Sequence, residues 1–411
     1  MKRLLIIGSS LNYGSPGKIT ESLGLLAQRN GWEVFQAYGL KYANPSQLKA
    51  RPVSSCFEEK IHAAFSLLLD AHGLASTSGT KRLVKWIEKI KPDVIHLHNI
   101  HGYYLNYKVL FEYLATLNTP IIWTLHDFWA ITGHCAHFDY IGCNKWKTEC
   151  NNCPQRRTYP KSLFLDKSKR NFNIKKKSFT SVHNMTITPV SKWVGKLVAE
   201  SFLGRYPILP IYNGIDTEIF KKTKNDLRKS LGLEGKSVLV GVAAPWYPLK
   251  GMNDYFELSK HLSTDFQIIM IGLKSEQIKQ LPEGILGIEK TLNQKELAAY
   301  YSMADVVLNL SYQETFGMTT VEGMACETPG IVYNKTASPE LVTPDTGRVV
   351  EAGNISELLN AIYEIKNIGK SAFSKACRER VVTFFDQDKQ FYKYIELYER
   401  QIDYKNINVY N

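Results

Sequence analysis

Short runs of β-branched and aromatic residues alternate with longer segments of helical periodicity, and this alternation occurs twice along the chain. In the first half the runs are RLLIIGS, EVFQAYG, DVIHLHN, PIIWTLHD and TITPV, with helical segments such as 18–29, 80–91 and 104–117 between them. In the second half they are SVLVGVAA, FQIIMIG, GILGIE, DVVLNLS and GIVY. Strands that alternate with helices are typical of βαβ units with buried parallel strands. The sequence therefore predicts an α/β fold with two parallel sheets.

The length of the chain also indicates two domains, because 411 residues exceed what one ordinary hydrophobic core accommodates. The polar, turn-rich stretch YNGIDTEIFKKTKN marks the boundary. We predict a first domain over 1–210, a second over 211–380, and a C-terminal helix within 381–411 that crosses back to the first domain. Residues 132–173 break the periodic pattern and are predicted to form a long irregular insertion rich in cysteine and histidine.

The charge balance favours anionic partners. The formal net charge is +12, which suits phosphates, nucleic acid or an acidic membrane surface. No segment approaches the ~18 consecutive apolar residues of a membrane span, and the apolar run that follows MKR is too short for a signal-peptide core. We therefore expect a cytoplasmic protein with reduced thiols.

Two glutamates, Glu314 and Glu322, lie in the stretch QETFGMTTVEGMACETPG that follows the predicted strand DVVLNLS. Ligands of parallel sheets bind at the carboxyl ends of the strands, and free N–H groups at a helix start bind phosphate. Glu322, about one turn into the helix, can accept hydrogen bonds from a sugar diol. The pattern indicates a site for a sugar attached to a phosphate, although such a spacing also occurs on solvated helices. The predicted helix start comprises Thr315, Phe316, Gly317 and Met318.

Other short motifs are spread along the chain: TLHD at 124–127, TPVSKWV at 188–194, YNGID at 212–216 and PWYPLKG at 245–251. With the E-x7-E spacing of Glu314 and Glu322, they resemble the motifs of the family 4 retaining glycosyltransferases. These are GT-B enzymes, whose two Rossmann-like domains have parallel sheets facing each other across a cleft. The pattern HDFW…TGHC…C…W…C…CP is most similar to bacterial capsule, colanic-acid and O-antigen transferases. The resemblance covers nearly the whole chain.

The resemblance implies specific roles for several residues. Lys250 would neutralise the donor diphosphate, Glu322 would hold the ribose hydroxyls, and Glu314 would contact the transferred sugar. His126 would face the donor sugar from the first domain, with Asp127 orienting its imidazole. The remaining donor-binding residues implied by the resemblance are the backbone of Thr315, Phe316, Gly317 and Met318, the first-turn glycines Gly14 and Gly17, and Asn213 of the hinge motif.

One position departs from the family pattern. Many relatives carry an arginine five residues before the motif lysine, and this chain has Pro245 there. A second cation on the diphosphate must then come from elsewhere in the chain, or stabilisation of the leaving group depends mainly on Lys250 and the helix start.

The resemblance implies transfer of a sugar, with retention of configuration, from a nucleotide diphosphate sugar of UDP or GDP type to a glycan acceptor. A front-face substitution of this kind needs positioning and charge stabilisation more than a dedicated base, and no cofactor is required for it. The acceptor is expected to be polyprenyl-linked, in bacterial surface polysaccharide biosynthesis. The alternatives are a GT-B sugar-nucleotide epimerase and a non-enzymatic nucleic-acid-binding protein. The second would leave both βαβ halves unexplained, so we expect no nucleic-acid partner.

Four cysteines fall within nineteen residues of the irregular insertion: Cys135, Cys143, Cys150 and Cys153. Four thiolates suit a tetrahedral zinc ion, and a metal would pin a segment that lacks a core of its own. Such a zinc would be structural, since four protein ligands leave no open position. Free buried thiols and disulfides are the alternatives.

The segment 145–177 carries eleven cations and only two acids, with aromatic and apolar residues interleaved. Such a surface can lie on anionic lipid headgroups, which predicts a peripheral protein on the inner face of the cytoplasmic membrane. A solvated cationic face is the alternative. The cations are Lys145, Lys147, Arg156, Arg157, Lys161, Lys167, Lys169, Arg170, Lys175, Lys176 and Lys177; the interleaved residues are Trp146, Tyr159, Phe164, Leu165 and Phe172.

Overall fold

The structure is a computed structural model that describes residues 1–409, with side chains described through residue 404. The chain divides into two compact units. Unit 1 comprises residues 1–212 and the C-terminal residues from 391 onward, and unit 2 comprises residues 213–390. Each unit contains one six-stranded parallel sheet flanked by helices, which confirms the predicted α/β class with two Rossmann-like sheets.

The sheet of unit 1 has the strand order β3-β2-β1-β4-β5-β6. Its order reverses between β1 and β4, which pair in parallel, and such a switch point is where doubly wound sheets bind ligands. The strands are β1 Arg3–Gly8, β2 Glu33–Tyr38, β3 Lys49–Pro52, β4 Val94–Leu97, β5 Ile121–Leu125 and β6 Met185–Pro189. The helices are α1 Gly14–Arg29, α2 Cys56–Leu69, α3 Thr77–Ile90, α4 Tyr107–Leu114, α5 Ser168–Phe179 and α6 Lys192–Ala199.

The sheet of unit 2 repeats this topology with the order β12-β11-β10-β7-β8-β9, so its switch point lies between β7 and β10. The strands are β7 Ser237–Val242, β8 Phe266–Ile271, β9 Ile285–Ile288, β10 Val306–Asn309, β11 Gly330–Tyr333 and β12 Gly347–Val350. The helices are α7 Leu227–Ser230, α8 Met252–Ser259, α9 Ser275–Ile278, α10 Gln294–Met303, α11 Met318–Ala325, α12 Ile355–Ile368, α13 Lys370–Phe384 and α14 Gln387–Val409.

The C-terminal segment differs from the single predicted helix over 381–411. Residues 381–384 still belong to α13, and α14 begins only at Gln387. The break is stabilised by Asp386, whose carboxylate accepts a hydrogen bond from the Lys389 backbone N–H at 3.1 Å, as expected for helix-cap chemistry. From Phe391 onward α14 packs against the core of unit 1.

The irregular insertion is shorter than predicted, because α5 begins at Ser168 rather than after residue 173. Before α5 the chain runs through turns, with one 3-10 turn at Lys145–Lys147. Trp146 in this turn is fully buried and stacks on Phe138, with ring centroids 4.7 Å apart. A small aromatic core therefore supports part of a segment that has little regular secondary structure.

The docking of α14 yields a testable prediction about stability. The buried Tyr398 hydroxyl lies 2.6 Å from Nδ1 of the buried His96, whose Nε2 bonds to Thr124 at 2.7 Å. We expect Tyr398→Phe to lower the free energy of unfolding of unit 1 by about 1–3 kcal/mol, because it leaves a buried ring nitrogen without its partner. Urea unfolding is the measurement, with Tyr404→Phe on the exposed end of the same helix as control. Equal effects of the two substitutions would contradict this assignment.

Candidate active site

The side chains of Lys250 and Glu314 meet at the switch point of the second sheet. Lys250 follows β7 and Glu314 follows β10, and these strands are neighbours. The Lys250 ammonium lies 2.5 Å from the Glu314 carboxylate, and both side chains are half-buried. Sequence analysis predicted both residues as site residues, and the structure brings them into direct contact.

Close backbone packing positions Lys250. It ends a 3-10 turn, Pro248–Lys250, and the next residue, Gly251, has a φ of 75°. A side chain at Gly251 would collide with the Leu310 carbonyl oxygen just beyond β10, so glycine is required there. The Tyr312 N–H also donates to the Leu249 carbonyl oxygen at 3.0 Å. These contacts hold the lysine turn against the segment that carries Glu314.

The Lys250 ammonium remains charged. Burial lowers the pKa of Lys250, but the Glu314 carboxylate and its hydrogen bond outweigh this effect, so the pKa of Lys250 is raised. The backbone N–H of Glu314 is in turn held by the Thr336 hydroxyl at 3.0 Å. The site therefore presents a fixed positive charge beside a carboxylate.

The helix start after Glu314 has the local geometry of an anion site. Gly317 precedes α11 with a φ of 101°, and Phe316 is buried against Phe385, with ring centroids 5.8 Å apart. Glu322, one turn into α11, is half-buried, and its carboxylate accepts a hydrogen bond from the buried Tyr301 hydroxyl at 3.0 Å. Tyr301 was not predicted from the sequence as a site residue. The turn that contains Thr315 and Met318 is half-buried at the same edge.

Gly14, Gly17 and Asn213 have structural surroundings that do not by themselves indicate a ligand. A Cβ on Gly17 would lie 2.8 Å from the Ser10 hydroxyl, so close packing of α1 on its own loop explains this glycine. Gly14 has a φ of 61° and faces open space. Asn213 is buried beside the backbone pairing of Ile215 with residues 385–387. Their donor-binding roles remain predictions.

In unit 1 a group of histidines lines a small cavity beyond the carboxyl ends of β4 and β5. This histidine cavity is lined by His98, Asn99, His101, His126 and Asp127, among others. Nδ1 of His98 lies 3.0 Å from Nε2 of His126. Asp127 accepts hydrogen bonds from His101 at 2.8 Å and Asn99 at 3.2 Å. The prediction that Asp127 orients His126 is therefore wrong: Asp127 orients His101, and the hydrogen-bond partner of His126 is His98.

His98, Asn99 and His101 are the residues of this cavity that sequence analysis missed. The signal was present, because HLHNIH comes directly at the end of the buried strand β4. Side chains at this edge meet those that follow β5, including His126 and Asp127, because β4 and β5 are parallel neighbours. Tyr159 of the irregular insertion also reaches the group, with its hydroxyl 3.0 Å from Nδ1 of His101.

The histidine cavity combines neutral imidazoles with one carboxylate. Burial lowers the pKa of His126 to about 4, partly opposed by Asp127, and burial also holds the pKa of His98 well below its usual value. Burial would raise the pKa of Asp127, but the adjacent His101 outweighs this effect and lowers it. At neutral pH the cavity therefore offers uncharged ring nitrogens and a carboxylate, which suits hydrogen bonding to hydroxyl groups.

The basic segment 145–177 is only partly a surface. Trp146 and Phe172, predicted to face lipid, are buried in the core of unit 1. Lys175 is also buried, and Lys169 forms an ion pair with Glu149 at 2.9 Å. Phe164, Leu165 and Tyr159 are exposed, as the prediction requires. Among the described residues, no helix combines the length and apolar character needed to cross a bilayer.

The four clustered cysteines are free thiols that line one small cavity. Among the side chains that the structure describes, no three of His, Cys, Asp or Glu stand in an arrangement that could hold a metal ion. The structure therefore places the four thiols around one cavity, and the zinc site stays a prediction.

Comparison with known families confirms the resemblance. The model for "Glycosyl transferases group 1" matches residues 223–380, and that for "Glycosyltransferase Family 4" matches residues 45–219. The matches correspond to one stretch of each unit and together span about four fifths of the chain. The chain belongs to the family 4 glycosyltransferases with the GT-B fold.

Individual relatives match this chain either over a short stretch or at low sequence identity. A putative colanic acid biosynthesis glycosyl transferase, WcaC of Escherichia coli K12, is 40% identical over 74 residues, which are 17% of this chain and 18% of the relative. The alpha-monoglucosyldiacylglycerol synthase of Acholeplasma laidlawii is 24% identical over 75% of this chain and 80% of the relative. Thus the chain spans less than a fifth of the first relative.

Solved structures show the same fold over nearly the whole chain. Sucrose-phosphate synthase from Thermosynechococcus elongatus has a TM-score of 0.70 at 17% identity, covering 97% of this chain and 99% of that one. HepE of Anabaena, crystallised with UDP, has a TM-score of 0.67 at 15% identity, covering 97% and 100%. At these identities the likeness establishes the fold alone.

The lowered histidine pKa values predict how stability depends on pH. The pKa of His126 and His62 falls to about 4 and that of His96 to about 3, each mainly through burial, against about 6.5 in an unfolded chain. Between about pH 4 and 6.5 the unfolded state binds more protons, so stability rises with pH and is lost as pH falls through this window.

Histidine-selective NMR is the measurement that checks this behaviour. We expect the His126 resonance, identified by its loss in His126→Gln, to stay that of a neutral ring from pH 7.5 to 5.5. The urea midpoint should fall less steeply below pH 6.5 in that variant than in the wild type. Titration of His126 near pH 6.5 would contradict the electrostatics described for the histidine cavity.

Proposed function

We propose that the protein is a retaining glycosyltransferase that moves a sugar from a nucleotide diphosphate sugar to a glycan acceptor. The observation that carries this proposal is the group formed by Lys250, Glu314 and Glu322 around the start of α11, at the switch point of the second sheet. It combines a fixed cation, a helix start and two carboxylates. These are the groups that a diphosphate, a ribose and a sugar ring require.

Lys250 has the main role in stabilising the leaving group. In the structure its ammonium is paired with Glu314, so it is already charged and oriented before a ligand arrives. A bound diphosphate would share this cation, and the Glu314 carboxylate would then accept hydrogen bonds from sugar hydroxyls. Because Pro245 replaces the usual arginine, the N–H groups at the start of α11 supply the rest of the electrostatic stabilisation.

We propose that transfer proceeds with retention, as the family resemblance implies. The bond between the anomeric carbon and the diphosphate oxygen breaks, and the acceptor hydroxyl bonds to that carbon on the same face. The acceptor proton passes to the departing phosphate oxygen, so the protein supplies position and charge rather than a base. Glu322, oriented by Tyr301, would bind the ribose diol. HepE, which shares the fold, was crystallised with UDP, and this supports a nucleotide donor.

The histidine cavity of unit 1 is the proposed site for sugar hydroxyls, those of the acceptor and, through His126, those of the donor sugar. Neutral His98 and His126 and the pair of His101 with Asp127 can donate and accept hydrogen bonds to sugar hydroxyls. The local match to a colanic acid transferase supports a role in bacterial surface polysaccharide biosynthesis. The longer match to a glucosyldiacylglycerol synthase supports a lipid-linked acceptor, for which we propose a polyprenyl carrier.

An enzyme that acts on a lipid-linked acceptor needs a surface that binds the membrane. Helix α2 has an exposed side that suits this purpose. Its outer side is apolar at helical spacing, with Phe57 72% exposed and Phe65 47% exposed. The segment with Phe164, which is 69% exposed, lies beside the end of α2, since the Leu163 N–H donates to the Leu67 carbonyl oxygen at 2.9 Å. We define the apolar face of α2 by its exposed residues Phe57, Ile61, Phe65, Leu68 and Leu69 together with Phe164 and Leu165.

Exposed cations border this apolar face, which makes it complementary to anionic lipid rather than to a neutral surface. Lys60 lies on α2 itself, and Arg157 and Lys161 precede Phe164 in the adjacent segment. Apolar side chains that enter the headgroup region beside basic residues are typical of peripheral membrane proteins. We propose that unit 1 rests through this face on the inner side of the cytoplasmic membrane.

Donor binding is tested by thermal unfolding in the presence of UDP-, GDP-, ADP- and dTDP-sugars. We expect one base to raise the unfolding midpoint of the wild type, because a ligand that binds only the folded state stabilises it. The shift should be lost in Glu322→Ala and reduced in Tyr301→Phe, which removes the hydrogen bond from the Tyr301 hydroxyl to the Glu322 carboxylate. Glu283→Ala, an exposed change in the same unit, is the matched control. An unchanged midpoint with every donor would contradict the proposed site.

Membrane docking is tested by sedimentation with vesicles of neutral lipid, with and without phosphatidylglycerol. We expect binding only with the anionic lipid, and at least a tenfold weaker partition for Phe57→Ser/Phe65→Ser, since burying each ring is worth about 1.5–3 kcal/mol. The exposed Leu292→Ser of unit 2 is the control. If the double substitution instead converts a dimer to a monomer without changing lipid binding, the face is a protein interface and the proposal fails.

A further inference from the structure

The four clustered cysteines lie around one small cavity of unit 1. Cys135, Cys143, Cys150 and Cys153 all line this cavity, and the thiols of Cys135 and Cys153 are close neighbours in it. The first of these residues is separated from the others by turns that have little regular structure. Convergence of four thiols from such a segment indicates a common ligand rather than four independent core positions.

The backbone around two of these sulfurs is arranged to donate hydrogen bonds. The Gly133 N–H points to the Cys150 sulfur, and the Gln155 N–H points to the Cys153 sulfur. Between the two cysteines, Asn152 adopts a left-handed conformation with a φ of 43°. Gly133 has no room for a side chain, because a Cβ would lie 2.8 Å from Cβ of Cys150. Such N–H groups can donate to these sulfurs once a metal ion holds them as thiolates.

The surroundings of the cavity lined by the four cysteines suit negative charge. Lys175 is only 1% exposed, and its ammonium donates to the carbonyl oxygens of Trp129 at 2.7 Å and Thr132 at 3.0 Å. No carboxylate among the described residues lies within ion-pair distance of it. A buried cation of this kind needs a nearby anion.

A second polar group also faces the cysteines. Nδ1 of the buried His134 lies 2.7 Å from the buried Asp70 carboxylate. Its Nε2 is buried without a hydrogen-bond partner, and the residue lines the same cavity. The unpartnered nitrogen of His134 in the cavity and the buried ammonium of Lys175 near Cys135 and Cys150 both favour negative charge on the sulfurs.

We propose that Cys135, Cys143, Cys150 and Cys153 together bind one zinc ion as thiolates. As the ion binds, the four thiols release their protons to solvent and four metal–sulfur bonds form. Four thiolates on Zn²⁺ leave a net charge of about −2, which Lys175 and the backbone donors offset. Since all four positions are filled by protein, the ion is structural.

The centre has a consequence for the histidine cavity. The same irregular segment carries Tyr159, whose hydroxyl meets His101, and Lys175 holds the Trp129 carbonyl. The Trp129 N–H in turn donates to Asp127 at 2.9 Å. A zinc ion that pins this segment therefore fixes both partners of the pair formed by His101 and Asp127. The inference about the metal is independent of the proposed transferase activity.

The test is metal content of the full-length protein, measured by elemental analysis after dialysis. We expect about one zinc per chain in the wild type and in Cys56→Ser, an exposed cysteine outside the cluster, but none in Cys150→Ser. Lys175→Met should lose zinc to a chelator at lower concentration than the exposed neighbour Lys176→Met does. Removal of the metal should lower the unfolding midpoint.

If Cys150→Ser fails to fold, cobalt absorption and thiol alkylation of the wild-type protein test the same zinc site. Cobalt added to the metal-free protein should give sulfur-to-cobalt charge-transfer absorption, and zinc should protect four thiols from alkylation while Cys56 stays reactive. The proposal is overturned if the folded wild-type protein takes up no added zinc and its thiols react equally fast with and without zinc.

Discussion

Parallel pairing of the strands is the constraint on which the rest of the structure depends. Within each sheet it brings the carboxyl ends of all strands to one edge, and the reversal of strand order opens that edge to a ligand. In unit 2 the segments after β7 and β10 place Lys250 beside Glu314. In unit 1 those after β4 and β5 place His98 beside His126. Residues distant in sequence thus become neighbours because their strands are neighbours.

Charge separates the roles of the two edges. The edge of unit 2 carries the half-buried Lys250, which stays protonated, and the start of α11, so it suits a doubly charged diphosphate. The edge of unit 1 carries histidines that burial keeps neutral, so it suits uncharged hydroxyls. In the proposed reaction the first property stabilises the leaving group, and the second positions an acceptor without adding charge that would repel or trap it.

The strands and motifs that depend on a local sequence pattern could be predicted from the sequence. Buried strands read as apolar runs, so all ten predicted strands are present, and the E-x7-E spacing located Glu314 and Glu322. Sequence analysis missed two edge strands: β3, which is polar and ends in Pro52, and β12, which contains Arg348. Helix α2 was not among the helical segments named from the sequence, although Ser55 and Glu58 form a capping box at its start.

Contacts between distant segments could not be predicted in this way. The partner of Asp127 is His101 rather than its chain neighbour, because the register of β4 and β5 decides which side chains meet. Trp146 and Lys175 are buried because the segment 145–177 packs against the rest of unit 1. The composition of this segment, taken alone, resembles that of a membrane-binding surface. The exposed side of α2 became visible only once its other side was packed.

Slow hydrolysis of the donor tests the central claim most directly, since water then takes the place of the unknown acceptor. The sugar nucleotide that stabilises the protein would be incubated with it and the anomeric protons followed by NMR. The account predicts release of the nucleoside diphosphate and a free sugar that first appears in the anomeric configuration of the donor, with both absent in Lys250→Met. Release of the opposite anomer would contradict retention, and the absence of any donor cleavage would contradict the assignment as a transferase.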